Sequence, residues 1–109
     1  MTAEEEIELE ELEIEEYGKR GGKGGGKEQH PRARRYVIRV DKTKYPVDVS
    51  HMKGREILTL AGKLPPEQYK LRQKFHGGAA ETIGLDEDVD FRKPGVERFM
   101  TLKLDQTDG

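Results

Sequence analysis

The chain has 109 residues, 32% hydrophobic and 39% charged, so it can bury one small core and no more. It contains no cysteine, which excludes disulfides, thiolate metal centres, iron–sulfur ligation and a thiol nucleophile. The net charge of −2 conceals three zones: nine Glu and no Lys or Arg in residues 1–17, seven Lys or Arg against one Glu in 18–35, and thirteen basic against twelve acidic side chains in 36–109. No apolar run is long enough to span a bilayer. The Glu-rich start is the opposite of a signal peptide's basic opening, so a cytoplasmic chain without a membrane partner is expected.

In the acidic arm, residues 1–17, the apolar positions are Ile7, Leu9, Leu12, Ile14 and Tyr17. At 100° per residue they scatter around a helix. As a strand they form two couplets, Ile7/Leu9 and Leu12/Ile14, with one extra residue between them. Alone such a strand would not hold, because its carboxylates repel and nothing covers its apolar side. Two readings stay open: a disordered acidic tail, or a segment that adds to a sheet edge carrying Lys or Arg. Burying four aliphatic side chains contributes about 6–12 kcal/mol, against about 8–20 kcal/mol for ordering the backbone. Such a contact would be reversible.

Residues 18–35 open with six glycines between Gly18 and Gly26, interrupted by Lys19, Arg20 and Lys23. Backbone entropy keeps such a stretch from folding alone. As a flexible coil it spans about 23 Å, enough for the arm to touch its own domain or a neighbour's. A basic Gly-rich run can bind RNA, but here no aromatic residue is available to stack on bases. A solubilising spacer is the better reading.

From residue 36 the pattern is that of an α+β unit. Tyr36, Ile38 and Val40 alternate in one strand, and Tyr45, Val47 and Val49 in the next, with Asp41 to Lys44 as the turn between them. Pro46 lacks an N–H, which makes the second strand a sheet edge. A helix opens near Ser50 or Lys53 with Gly54-Arg55-Glu56. Ile57, Leu58 and Ala61 form its stripe, Gly62 follows its end, and Pro65-Pro66 prevents continuation. Tyr69 to Phe75 is a strand, Ile83-Gly84-Leu85 a short apolar segment and Asp86 to Asp90 an acidic loop. Pro94-Gly95 then turns into a last strand with Val96, Met100, Leu102 and Leu104 facing one way. A polar tail follows: Asp105, Gln106, Thr107, Asp108 and Gly109. An extended tail ending in glycine suits the narrow channel of an enzyme that adenylates a carboxylate, since glycine has no side chain to obstruct entry.

The order strand, strand, helix, strand, short segment, strand is that of the β-grasp, a mixed sheet of four to five strands with one helix across it. Pro65-Pro66-Glu67-Gln68 between helix and strand is similar to ubiquitin's own junction. Several motifs resemble the bacterial multiubiquitin-domain family over residues 36–109. They are Tyr36-Val37-Ile38-Arg39-Val40-Asp41, Gly54-Arg55-Glu56-Ile57-Leu58, Leu60-Ala61-Gly62, Gly84-Leu85-Asp86-Glu87 and Pro94-Gly95-Val96-Glu97-Arg98-Phe99. That resemblance implies a ubiquitin-like modifier joined to target proteins through Gly109. The family's operons encode a ubiquitin-activating-like enzyme, which would use the ATP, a conjugating enzyme and a JAB-family isopeptidase. Related operons act against phage. The chain itself would need no cofactor. Its tail departs from ubiquitin's in having Asp108 at the penultimate position and acidic residues where ubiquitin has arginine. A partner's channel would have to be basic, and a sulfur-carrier role, which relies on a Gly-Gly end, is disfavoured.

The alternative reading is a self-assembling protein. Ile7, Leu9, Leu12 and Ile14 would add as a strand to the Tyr45–Val49 edge of a neighbouring copy, beside Lys42, Lys44, Tyr45 and Val47. Such head-to-tail contacts make rings or filaments. Catalysis is not expected. His30, His51 and His76 lack metal-ligand spacing, and Ser50 stands in no nucleophile elbow. Asp86, Asp88 and Asp90 imitate a calcium loop but have Phe91 where glycine is needed.

Overall fold

The computed structural model of the chain describes residues 9–20, 31–93 and 95–104. In chain order, β1 is Leu9–Glu13, α1 Ile14–Arg20, β2 Ala33–Val40, β3 Thr43–Val47 and β4 His51–Lys53. Then come α2, Gly54–Leu60, a 3-10 turn at Pro66–Gln68, β5 at Tyr69–Phe75, β6 at Ala80–Ile83, β7 at Asp88–Asp90 and β8 at Val96–Lys103. The main sheet runs β1-β2-β8-β5-β6, with β3 on the other side of β2, while β4 and β7 form a separate pair. β2 is parallel to both β1 and β8, and the remaining pairs are antiparallel. The fold is a small mixed α/β unit.

The period-2 alternation read in the sequence builds the core. Tyr36, Ile38 and Val40 turn inward from β2 and are almost fully buried, as are Leu71 from β5 and Phe99 from β8. α2 supplies Ile57 and Leu58, both 0% exposed. It starts after Lys53, whose backbone N–H donates to the Glu56 carboxylate at 2.8 Å. It ends at Gly62, whose φ of +77° closes the last turn. Gly54 is required for a different reason: a Cβ there would lie 2.3 Å from the Gly84 carbonyl oxygen. The loop 84–87 sits that close because the Gly54 and Arg55 N–H groups donate to the carbonyls of Glu87 and Leu85 at 3.0 and 2.9 Å. Phe91 meets Tyr36 and Phe99 with ring centroids 6.3 Å apart in each pair, tying the 88–91 segment to the sheet.

The β2–β3 turn is clasped to β8. Asp41 takes a φ of 57°, a left-handed conformation that Asp tolerates. Its carboxylate accepts from the Thr101 N–H at 2.9 Å and the Thr101 hydroxyl at 2.6 Å.

Several elements depart from the sequence-based expectation. The main sheet has six strands instead of four or five, because β6 and the arm both join it. Residues 33–35, allotted to the linker, lengthen β2, and Val49 lies beyond β3 and is 45% exposed. The last strand does not present Val96, Met100, Leu102 and Leu104 to one side. A bulge opposite Lys74 and Phe75 inserts one residue, so Val96 and Phe99 face the core while Met100 and Leu102 turn outward.

Candidate functional site

Two regions of the chain carry chemistry that packing alone does not require: the exit of β8 and the groove that holds the arm. At the exit, the Leu104 N–H donates to the Gln68 carbonyl at 2.8 Å, and Leu102 and Leu104 are 59% and 39% exposed. The tail that follows, Asp105, Gln106, Thr107, Asp108 and Gly109, lies outside the described residues, as does Ile7 of the arm.

The arm docks on its own chain. β8 meets β2 only where Val40 faces Phe99, which leaves the upstream half of that edge open. β1 fills it in parallel, with Leu9 opposite Ala33, Leu12 opposite Tyr36 and Glu13 opposite Val37. Leu12 and Ile14, 2% and 1% exposed, enter the main core, and Leu9 packs against its margin. Continuing straight, the arm would run into the first residues of β8. It coils into α1 instead and packs against β8.

Ion pairs line the contact. Glu15 is 6% exposed and both its carboxylate oxygens accept from Arg39 Nη1 at 3.2 Å, which makes this the most buried of the arm's ion pairs. The Lys44 ammonium, on β3, donates to Glu13. That hydrogen bond raises the Lys44 pKa, and the Glu13, Glu15 and Glu16 charges add to it, against the opposing effect of burial. Arg34–Glu10 and Arg35–Glu11 pair at 3.9 and 3.7 Å but are more than half exposed, so each contributes about 0–1 kcal/mol.

Of the acceptor residues named from sequence, Lys44 contacts the arm. Lys42 is exposed in the turn, while Tyr45 and Val47 point inward and pack against the core. Within its own chain the arm pairs with β2. Pro46 removes a donor from the β3 edge, whereas pairing with β2 brings Leu12 and Ile14 into the core. Arg39 and Glu15, which sequence reasoning passed over, hold the arm most firmly. Arg39 was legible as the outward residue between Ile38 and Val40.

A polar cleft near the start of β2 brings Ser50, His51 and Asp90 together. The Ser50 hydroxyl lies 3.0 Å from His51 Nδ1, but His51 Nε2 is 3.7 Å from Asp90, too far for a hydrogen bond. Asp90 instead accepts the Arg92 N–H at 2.8 Å, so the three do not form a nucleophile relay. Among the described residues no cluster of His, Asp or Glu is arranged to hold a metal ion, and no helix is long and apolar enough to cross a membrane.

A mixed main sheet with α2 packed into its core is compatible with a ubiquitin-like protein. Residues 36–103 match the multiubiquitin family model, and the chain belongs to that family. No curated protein and no solved structure matches it.

Proposed function

We propose that this chain is a β-grasp protein modifier, activated at Gly109 by an enzyme of the ubiquitin-activating kind and conjugated to target proteins. The observation that carries the reading is the family match over residues 36–103, which leaves the C-terminal tail just beyond the matched domain. In this reading the Gly109 carboxylate attacks the α-phosphorus of ATP and releases pyrophosphate. An enzyme thiolate then displaces AMP to give a thioester, and a target amine displaces the thiol to give an amide. Asp105 to Asp108 thread the enzyme channel, an isopeptidase reverses the linkage, and the chain supplies no catalytic group. A role in antiphage defence follows from the same reading.

The test is to incubate the full chain with ATP and a candidate activating enzyme. The expected product is an adduct cleaved by free thiol, formed by the full chain and lost on deletion of Gly109. A deleted chain that still charges would overturn the proposal.

Assembly through the arm needs β1 to leave its own sheet and take the same place on a neighbour's β2. Light scattering at rising concentration decides this: a constant monomer mass excludes it.

A further inference from the structure

The arm lies outside the stretch that matches the family, yet the place it occupies is built mainly by that stretch. Three features define the place. The first is the backbone edge of β2 from Ala33 to Val37, upstream of the point where β8 joins it. The second is the part of the core that Leu12 and Ile14 complete, in one cluster with Tyr36, Ile38 and Phe99. The third is a set of cations, Arg34, Arg35, Arg39 and Lys44, each paired with a glutamate of the arm. Together they accept a strand parallel to β2 that runs into a helical turn, in the pattern Leu12-Glu13-Ile14-Glu15.

The present occupant is held lightly. It pairs as a strand over five residues, and both side chains of the Arg34, Arg35 and Lys44 pairs are at least 30% exposed, so salt screens them. When it leaves, the N–H and C=O groups of β2 lose their partners and become a template for another strand. We propose that this edge of β2 is a receptor site for an acidic, aliphatic segment of another protein, and that the arm is its intramolecular competitor.

The tether sets the terms of the competition. Residues 21–32 join α1 to β2, so the arm acts as a ligand at an effective concentration on the order of millimolar. A segment at micromolar concentration displaces it by binding about a thousandfold more tightly, or once the arm has been weakened. The affinity observed is that of the empty groove scaled by the fraction of chains whose arm is out. A second copy's arm is a poorer rival, because exchange re-forms the same contacts without the tether and empties a groove elsewhere. Single-stranded nucleic acid meets the cations but neither extends the β ladder nor fills the places of Leu12 and Ile14. The site stands apart from the chemistry at Gly109, so either proposal can fail without the other.

The experiment titrates the full chain into a fluorescein-labelled peptide copying residues 9–16, with backbone amide NMR as a second readout. Glu15→Gln loosens the arm and leaves Arg39 for the probe's own glutamate. Saturable binding is expected, at least about fivefold tighter to the Glu15→Gln chain than to the unaltered one. A probe with Gln at the position matching Glu15 should lose that advantage, and one with Gln in place of its Leu and Ile residues should not bind. Leu12→Ala loosens the arm by a second route and should also tighten binding. Amide shifts should fall in β1, α1, β2 and β8, while β6 stays unchanged and reports an intact body. Light scattering should give one chain and one probe per complex.

Any of four results overturns the inference. One is no saturable binding to either altered chain, and another is equal affinity for the altered and unaltered chains. A third is displacement of the probe by a single-stranded oligonucleotide. The last is a concentration-dependent dimer of the unaltered chain that the probe dissolves, which would assign the groove to a second copy's arm.

Discussion

The arm and the body of this protein are held by different forces. The body, β2 to β8, is closed around contiguous buried side chains from α2 and the sheet. The arm puts only Leu12 and Ile14 fully into that core and relies otherwise on strand pairing and carboxylate contacts at the surface. Hydrophobic burial is insensitive to pH and salt, whereas exposed ion pairs are screened. The arm is therefore the part that solution conditions can release while the body stays folded.

The largest effect should come from the centre of the body. Phe99→Ala removes a ring that is 1% exposed and packs edge-on to Phe91, at a cost of about 3–5 kcal/mol. In urea the whole chain, arm included, should unfold at a much lower midpoint. Gly54→Ala tests the body at its tightest backbone approach. Alanine inside a helix is ordinarily favoured by about 0.5–1 kcal/mol, yet here the added methyl would meet a carbonyl oxygen at 2.3 Å. A net loss of about 1–3 kcal/mol is expected, and a gain would show that the 84–87 loop yields freely.

The arm should separate from the body under milder changes. Glu15→Gln weakens a nearly buried, doubly hydrogen-bonded contact by about 1–3 kcal/mol. Cleavage within residues 9–17 by a Glu-specific protease should accelerate, while the body's urea midpoint moves little. A parallel fall of both would mean that arm and body form one cooperative unit.

The smallest effects lie at the two ends of the pH scale, and they divide the same way. Burial pushes the Glu97 carboxyl up, but the Lys74 hydrogen bond and the Lys74, Arg98 and His76 charges outweigh it and hold its pKa below the usual carboxylate value. Its contribution to the body is present above the ordinary Glu pKa and is lost as pH falls through the depressed value. Lys44 is shifted the other way. Its contribution to the arm is present below the ordinary lysine pKa and is lost as pH rises through the raised value. Acid should loosen the body and strong alkali the arm, which amide exchange at β5 and β1 would report separately.

Much of this architecture was legible in the sequence because alternation and caps carry it. Tyr69–Phe75 appears at the bounds that its period-2 pattern predicts, and Lys53 and Gly62 flank the helix as expected. What escaped notice had weak local signals. β4 and β7 are three residues each, too short for a period, and β7 is mostly aspartate. They exist because the 84–87 loop is fastened to the start of α2. α1 has no apolar stripe and arises where the arm is deflected by β8, a tertiary cause with no local trace. The outer-face cations Lys70 and Arg72 were readable as residues alternating with Leu71 and Gln73. Their lack of partners among the described residues was not, since pairing depends on which strands become neighbours. The bulge that reverses the direction of Val96 relative to Met100 is likewise set by the register with β5.

The parallel pairing of β1 with β2 also fixes an order of events during synthesis. Residues 9–13 leave the ribosome before every strand they will contact, and the core that takes Leu12 and Ile14 includes Phe99 of β8, more than eighty residues later. Until Phe99 has been made, the arm has no complete site to dock on. Nine glutamates among its seventeen residues keep it hydrated and mutually repelling during that wait, so that its aliphatic residues meet their own sheet before they meet another nascent chain.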